Sequence, residues 1–230
     1  MLRGALRLIA LLGLLLASPA RAEPVDLQLI LAVDASGSVS AERFELQKQG
    51  YAAAFRNQRL LQALGGQRIA VAMVQWTGPR LQVLVVDWQA VHDPASAEAL
   101  ARAIQAAPRR LFGGGTSISG VIDYSIGLFD RSPLQGTRRV IDISGDGANN
   151  SGRPVGPARD DAVAAGITIN GLPILNVEPY LAEHYHDMVI GGPGAFMIAI
   201  ESYDQFAEAI LRKLVSEIAG IPPHRFAGRE

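Results

Sequence analysis

Residues 27–33 form a nearly unbroken apolar run whose one polar member is Gln28. A run of this kind, without polar alternation, reads as a strand buried on both faces. Residues 40–63 carry a helical pattern, opened by Ser40 as N-cap and closed by Gly65-Gly66. Residues 68–76 read as a second strand. After the turn Thr77-Gly78-Pro79, residues 81–88 return as a third, predicting a hairpin with an antiparallel edge strand. Helical patterns follow at 94–106, 117–129, 157–165, 179–188 and 203–218, and strand patterns at 138–144, 166–174 and 195–200. Such alternation predicts an α/β fold of the Rossmann-like, doubly wound kind. Its central sheet has about six strands, mostly parallel with one antiparallel edge strand, and helices cover both faces. No internal repeat and no long linker divides the chain.

The N-terminus follows a different logic. Arg3 and Arg7 precede an apolar run over residues 8–17, and Ala20-Arg21-Ala22 offers small residues around a cleavage point. This is the layout of a secretory signal peptide. The run is only about half the roughly twenty residues that a membrane span needs. The sequence is therefore expected to divide into a signal peptide (1–22), one domain (23–220) and a loose tail (221–230), the product being exported to the periplasm or beyond.

Composition narrows the partners. Lys plus Arg total 21 and Asp plus Glu 22 in 230 residues. That balance gives no electrostatic reason to expect nucleic acid or an anionic membrane surface. With 49% hydrophobic residues there is ample material for a core. The core must suffice alone, because an exported chain with no cysteine has no disulfides.

The chemistry concentrates in three loops. Asp34-Ala35-Ser36-Gly37-Ser38 stands at the carboxyl end of the first strand, where sites form in open α/β sheets. Its carboxylate and two hydroxyls converge if the loop curls, which Gly37 permits. Gly113-Gly114-Gly115 leads to Thr116, and Ser144-Gly145 leads to Asp146. All of these are oxygen donors, the set suited to Mg²⁺, Mn²⁺ or Ca²⁺.

Asp-x-Ser-x-Ser, a Thr after a glycine turn and an Asp-Gly after a later strand together resemble the metal-ion-dependent adhesion site of the von Willebrand factor type A (VWA) domain. The resemblance runs across residues 25–220. It implies a cation, Mg²⁺ foremost with Mn²⁺ and Ca²⁺ as alternatives, held by Asp34, Ser36, Ser38, Thr116 and Asp146. It also implies a non-enzymatic role: Ser36 and Ser38 meet the ion directly, Thr116 does so in the ligand-occupied state, Asp34 and Asp146 act largely through water, and a protein partner offers Asp or Glu to the open position. Residues 141–150 and 191–196 further resemble a group of exported bacterial VWA proteins of unknown function. One departure stands out. The usual apolar run ending in Thr-Asp-Gly is interrupted here by Asp142, and Ser-Gly precedes Asp146.

Other readings of these residues are weaker. The serines and Thr116 also suit helix caps, and Ser40 is assigned to capping outright. The glycine loop lacks the Lys of a phosphate cradle. A phosphatase of the haloacid dehalogenase type needs a second acid where Ser36 stands, and no Gly-x-Ser-x-Gly motif supports a serine hydrolase. A metal-free VWA scaffold is the remaining alternative. Asp142 reads as a buried acid, with a supporting role behind the site as its other option. Asn149 and Asn150 read as loop residues, His184 and His186 as solvated surface, and Trp76 and Trp88 as sheet packing.

Overall fold

The computed structural model describes residues 22–223. The proposed signal segment up to residue 21 and the tail from residue 224 lie outside the described residues. Five strands form one sheet: β1 (Glu23–Asp34), β2 (Ile69–Trp76), β3 (Gln82–Val91), β4 (Leu134–Gly145) and β5 (Ile167–Pro173), in the order β3-β2-β1-β4-β5. β1 pairs in parallel with β2 and β4, β4 in parallel with β5, and β3 is the antiparallel edge strand of the expected hairpin.

The apolar run of β1 is buried because it lies mid-sheet with helices on both faces. Its odd positions, Leu27, Leu29, Leu31 and Val33, face α1 (Ala41–Arg56), α3 (Pro94–Ala106) and α7 (Phe206–Ala219), with Phe44, Tyr51, Leu100, Phe206 and Leu214 opposite. Its even positions, Ile30 and Ala32, join Val74 and Trp76 against α4 (Ile118–Asp130), α5 (Val155–Ala164), the short α6 (Leu181–His184) and Tyr185 just beyond it. Period-two alternation thus feeds two separate cores from one strand.

Two expectations are corrected in detail. The stretch 40–63 is two helices, because Asn57 leaves the helical region (φ −78°, ψ 134°) and its side chain caps α2 (Gln58–Leu64) by accepting from Arg59 N at 2.9 Å. Ser40 caps α1 as expected, accepting from Arg43 N at 3.2 Å. The sixth strand, at 195–200, does not form a continuous ladder. It runs beside β5 with Gly171 N–H donating to Phe196 O, Ile198 N–H to Gly171 O, Ile200 N–H to Pro173 O and Leu175 N–H to Ile200 O. The bond missing from this series is the one Pro173 would donate, and proline has no N–H. The pairing therefore splits into isolated bridges at Gly171–Met197 and Ile174–Ile200.

α7 is tied to the sheet by charge as well as by packing. Lys213, fully buried, lies 2.7 Å from Asp142 of β4 and 2.6 Å from Glu217 one turn along. Asn170 of β5 donates to Glu217 Oε1 at 2.8 Å. Asp142 is thus the buried acid of the sequence reading, and it serves α7. Two acids face one ammonium here. Burial, then the neighbouring Asp142 carboxylate, pushes the Glu217 carboxyl up from 4.5 to about 7, and burial raises Asp142 as well.

Between those two values the folded state holds a proton that the unfolded chain has released. The stability this gives is present below pH 4.5 and is lost as pH rises toward 7. Wild type is therefore expected to lose melting temperature relative to Glu217→Gln across that window, read by circular dichroism melts. Lys213→Met leaves two buried acids without their cation and is expected to cost about 3–5 kcal/mol in denaturant unfolding.

Candidate metal centre

Because β1, β2 and β4 run parallel, their carboxyl ends lie at one edge, and Asp34 sits in register with Trp76 while Val33 pairs with Ser144. The loops leaving that edge carry the five predicted residues. Asp34, Ser36, Thr116 and Asp146 are buried and Ser38 is half-buried. Asp34 folds back to accept from Ser36 N at 2.7 Å, so its own loop curls around the carboxylate. The Ser36 and Ser38 hydroxyls are 3.2 Å apart, and Ser38 Oγ donates to Asp146 Oδ1. Asp146 N–H reaches Asp34 Oδ2 at 3.4 Å. Thr116 joins from the third loop, its Oγ1 3.3 Å from where a Cβ on Gly147 would stand.

Each loop is held from outside. Gln47 donates to Asp34 O at 3.1 Å, Arg43 to Ser38 O at 2.9 Å, and Arg109 to Ala35 O and Val39 O at 3.2 and 2.8 Å. Tyr203, just before α7, donates to Asp146 Oδ2 at 3.0 Å. Asn150 Oδ1 accepts from Thr116 N at 2.8 Å and Asn149 Oδ1 from Ser119 N at 2.9 Å, so these loop residues brace the start of α4. Behind them Glu178 accepts from Ala148 N and His184 from Asn149 N. His184 is therefore half-buried and engaged, contrary to the solvated surface expected of it, while His186 is exposed and pairs with Asp187.

Arg43, Gln47, Arg109, Glu178 and Tyr203 are absent from the sequence reading. A signal existed for two of them: Arg43 and Gln47 stand four apart on α1, in phase with the buried Tyr51, a polar stripe on a core-facing helix. Arg109, Glu178 and Tyr203 reach the site only through tertiary contacts.

The electrostatics favour a cation. Burial, opposed by hydrogen bonds from Ser36 and reinforced by Asp146, pushes the Asp34 carboxyl up from 3.8 to about 7. Among the described residues Asp34 has no ion pair, and Asp146 has one, with Arg43 at 3.7 Å. Two buried acids and three hydroxyls match the oxygen sets of hard divalent ions. Gly145 fits this crowding closely. A Cβ there would lie 3.0 Å from Asp34 Oδ2, 3.1 Å from the Tyr185 hydroxyl and 3.2 Å from the Trp76 ring. The Ser-Gly before Asp146 thus lets the backbone pass over Asp34. A separate cavity of about 450 Å³, lined by Arg138, Phe196 and Pro222 among others, shares no residue with the cluster.

Residues 24–222 match a family described as protein of unknown function, DUF1194. The chain belongs to that family. No curated protein sequence matches it. Among solved structures, this DUF1194 chain is similar to the von Willebrand factor domain of the type V pili tip protein Mfa5 from Porphyromonas gingivalis. The TM-score is 0.58 at 11% identity, covering 89% of this chain and 99% of that one. It is similar to a von Willebrand factor type A protein from Catenulispora acidiphila (0.56, 18%, covering 85% and 43%). It is also similar to proximal thread matrix protein 1 from the mussel byssus, solved with a zinc-occupied MIDAS motif (0.60, 15%, covering 85% and 46%). The DUF1194 chain spans less than half of the last two. The fold is that of a VWA domain.

Gly145→Ala is expected to cost about 1–3 kcal/mol, the usual result of overfilling a packed site, seen as a lower melting temperature. Asn150→Ala, which removes the brace on Thr116 N–H, is expected to lower the melting temperature by less than Gly145→Ala does.

Proposed function

We propose that this DUF1194 protein is an exported VWA domain that holds a divalent cation at Asp34, Ser36, Ser38, Thr116 and Asp146 and uses it to bind a protein through an Asp or Glu side chain. The observation that carries this reading is the convergence of two buried carboxylates and three hydroxyls, from three separate loops, at one sheet edge. The hydroxyls would meet the ion without neutralising it. The carboxylates, acting through water, would attract it more weakly than direct contact allows, since Coulomb energy falls with distance and with intervening dielectric. An ion held this way stays electrophilic toward a partner's carboxylate. Mg²⁺ is the first candidate for an all-oxygen set, with Mn²⁺ and Ca²⁺ next.

A non-enzymatic role follows from the donor set, since Ser36 stands where a phosphatase would need its second acid. Among the described residues no helix is long and apolar enough to cross a membrane.

One observation favours a metal-free scaffold as the second reading. Arg43 and Tyr203 already approach Asp146 Oδ2, at 3.7 and 3.0 Å, so one of the two acids has partners without an ion.

Calorimetric titration of Mg²⁺, Mn²⁺ and Ca²⁺ into chelator-stripped protein separates the two. Saturable binding that disappears in Asp34→Ala is the expected result. Absence of binding by all three ions favours the scaffold.

A further inference from the structure

Six large apolar side chains among the described residues are markedly exposed: Leu81, Phe112, Val177, Tyr180, Met188 and Ile221. Four of them stand on loops at the sheet edge that carries the candidate metal centre, and they do so on two opposite sides of it. On one side, Phe112 is 75% exposed. Its ring is 5.2 Å from the Arg109 guanidinium, which holds Ala35 O and Val39 O of the Asp34–Ser38 loop. Leu81 completes this side, since a Cβ on Gly114 would lie 3.8 Å from its Cδ1 and Gly114 O accepts from Gly37 N. On the other side, Tyr180 is 81% exposed. It and Val177 flank Glu178, whose carboxylate caps Ala148 N beyond Asp146.

Charge divides the same rim. The loops bearing Leu81 and Phe112 carry Arg80, Arg109 and Arg110 and no acid, whereas residues 174–183 carry Glu178 and Glu183 and no Lys or Arg. Exposed aromatics beside a buried polar centre are where binding energy concentrates in protein interfaces. A bilayer fits poorly, because the glutamates of the Tyr180 side would face anionic lipid.

We infer that the rim is a docking surface for an extended peptide segment of a partner protein, in which the metal-binding Asp or Glu is flanked on both sides by apolar or aromatic residues. The flank over Phe112 and Leu81 carries additional acidic charge, matching the arginines. This inference rests on the cation reading above and adds the sequence character of the partner.

The test pans a displayed random peptide library against the purified protein in Mg²⁺, with elution by chelator. The enriched peptides are then titrated into wild type, Phe112→Ser and Tyr180→Ser, both exposed positions, and Asp34→Ala. The expected result is enrichment of an acid with apolar flanks. Each rim variant should bind such peptides about tenfold more weakly, the scale of a single interface anchor, while its Mg²⁺ titration stays unchanged. Asp34→Ala should lose both ion and peptide. Peptides without apolar flanks, unaltered binding by both rim variants, no chelator-eluted peptide, or rim-dependent binding to phosphatidylglycerol vesicles in place of peptide would each overturn the docking surface. Absence of Mg²⁺ binding in calorimetry would instead overturn the cation reading beneath it.

Discussion

Two carboxylates buried side by side set the terms for the top of this sheet. Asp34 and Asp146 are both fully inaccessible, and like charges in such a place must be met by donors, by protons or by a cation. The surrounding groups answer that demand. Ser36 N–H, Asp146 N–H, the Ser38 and Tyr203 hydroxyls and the Arg43 guanidinium all point at carboxylate oxygens. Even so, Asp34 has no ion pair among the described residues, and burial pushes its carboxyl up to about 7.

The same residues connect the site to the helix layer. Arg43, Gln47 and Tyr51 form one stripe of α1. Arg43 meets the Asp34–Ser38 loop, Gln47 meets Asp34 O and Ser144, and Tyr51 meets Ser144. Tyr203 joins Asp146 to the start of α7, and the Lys213 ion cluster joins the far part of α7 to β4 and β5. Polar contacts therefore hold α7 at two points along its length, through Asp146 and through Asp142, where apolar packing alone would leave its position less specific. Burial raises both acids of the Lys213 cluster, which makes that attachment sensitive to pH, with a sign opposite to that of an ordinary surface carboxylate.

The irregular features have local causes. Gly145 is the point where the backbone crosses Asp34, Tyr185 and Trp76. Pro173 is why the last extended segment lies beside β5 without joining it as a regular strand. Asn57 is why one predicted helix is two. Each is a single residue whose backbone or cap chemistry overrides the hydrophobic pattern around it.

Much of this architecture was legible in the chain itself. The apolar run of 27–33, the alternation of helix and strand and the hairpin at Thr77-Gly78-Pro79 determine a doubly wound sheet, because burial on both faces requires such runs. Three oxygen-bearing loops pointed to the five residues of the candidate site; strand direction sends the loops after β1 and β4 to one edge, while the Thr116 loop, between α3 and α4, is brought there by packing. Only the tertiary structure decided what surrounds them. Arg109, Glu178 and Tyr203 come from distant positions whose convergence no local period encodes, and the apolar rim is visible only as exposed side chains on neighbouring loops. Asp142 shows the division most clearly. Its place in a strand marked it as buried, but its partners Lys213 and Glu217 lie some seventy residues away in sequence, and the choice of α7 over the candidate site was made by the packing of that helix across the sheet.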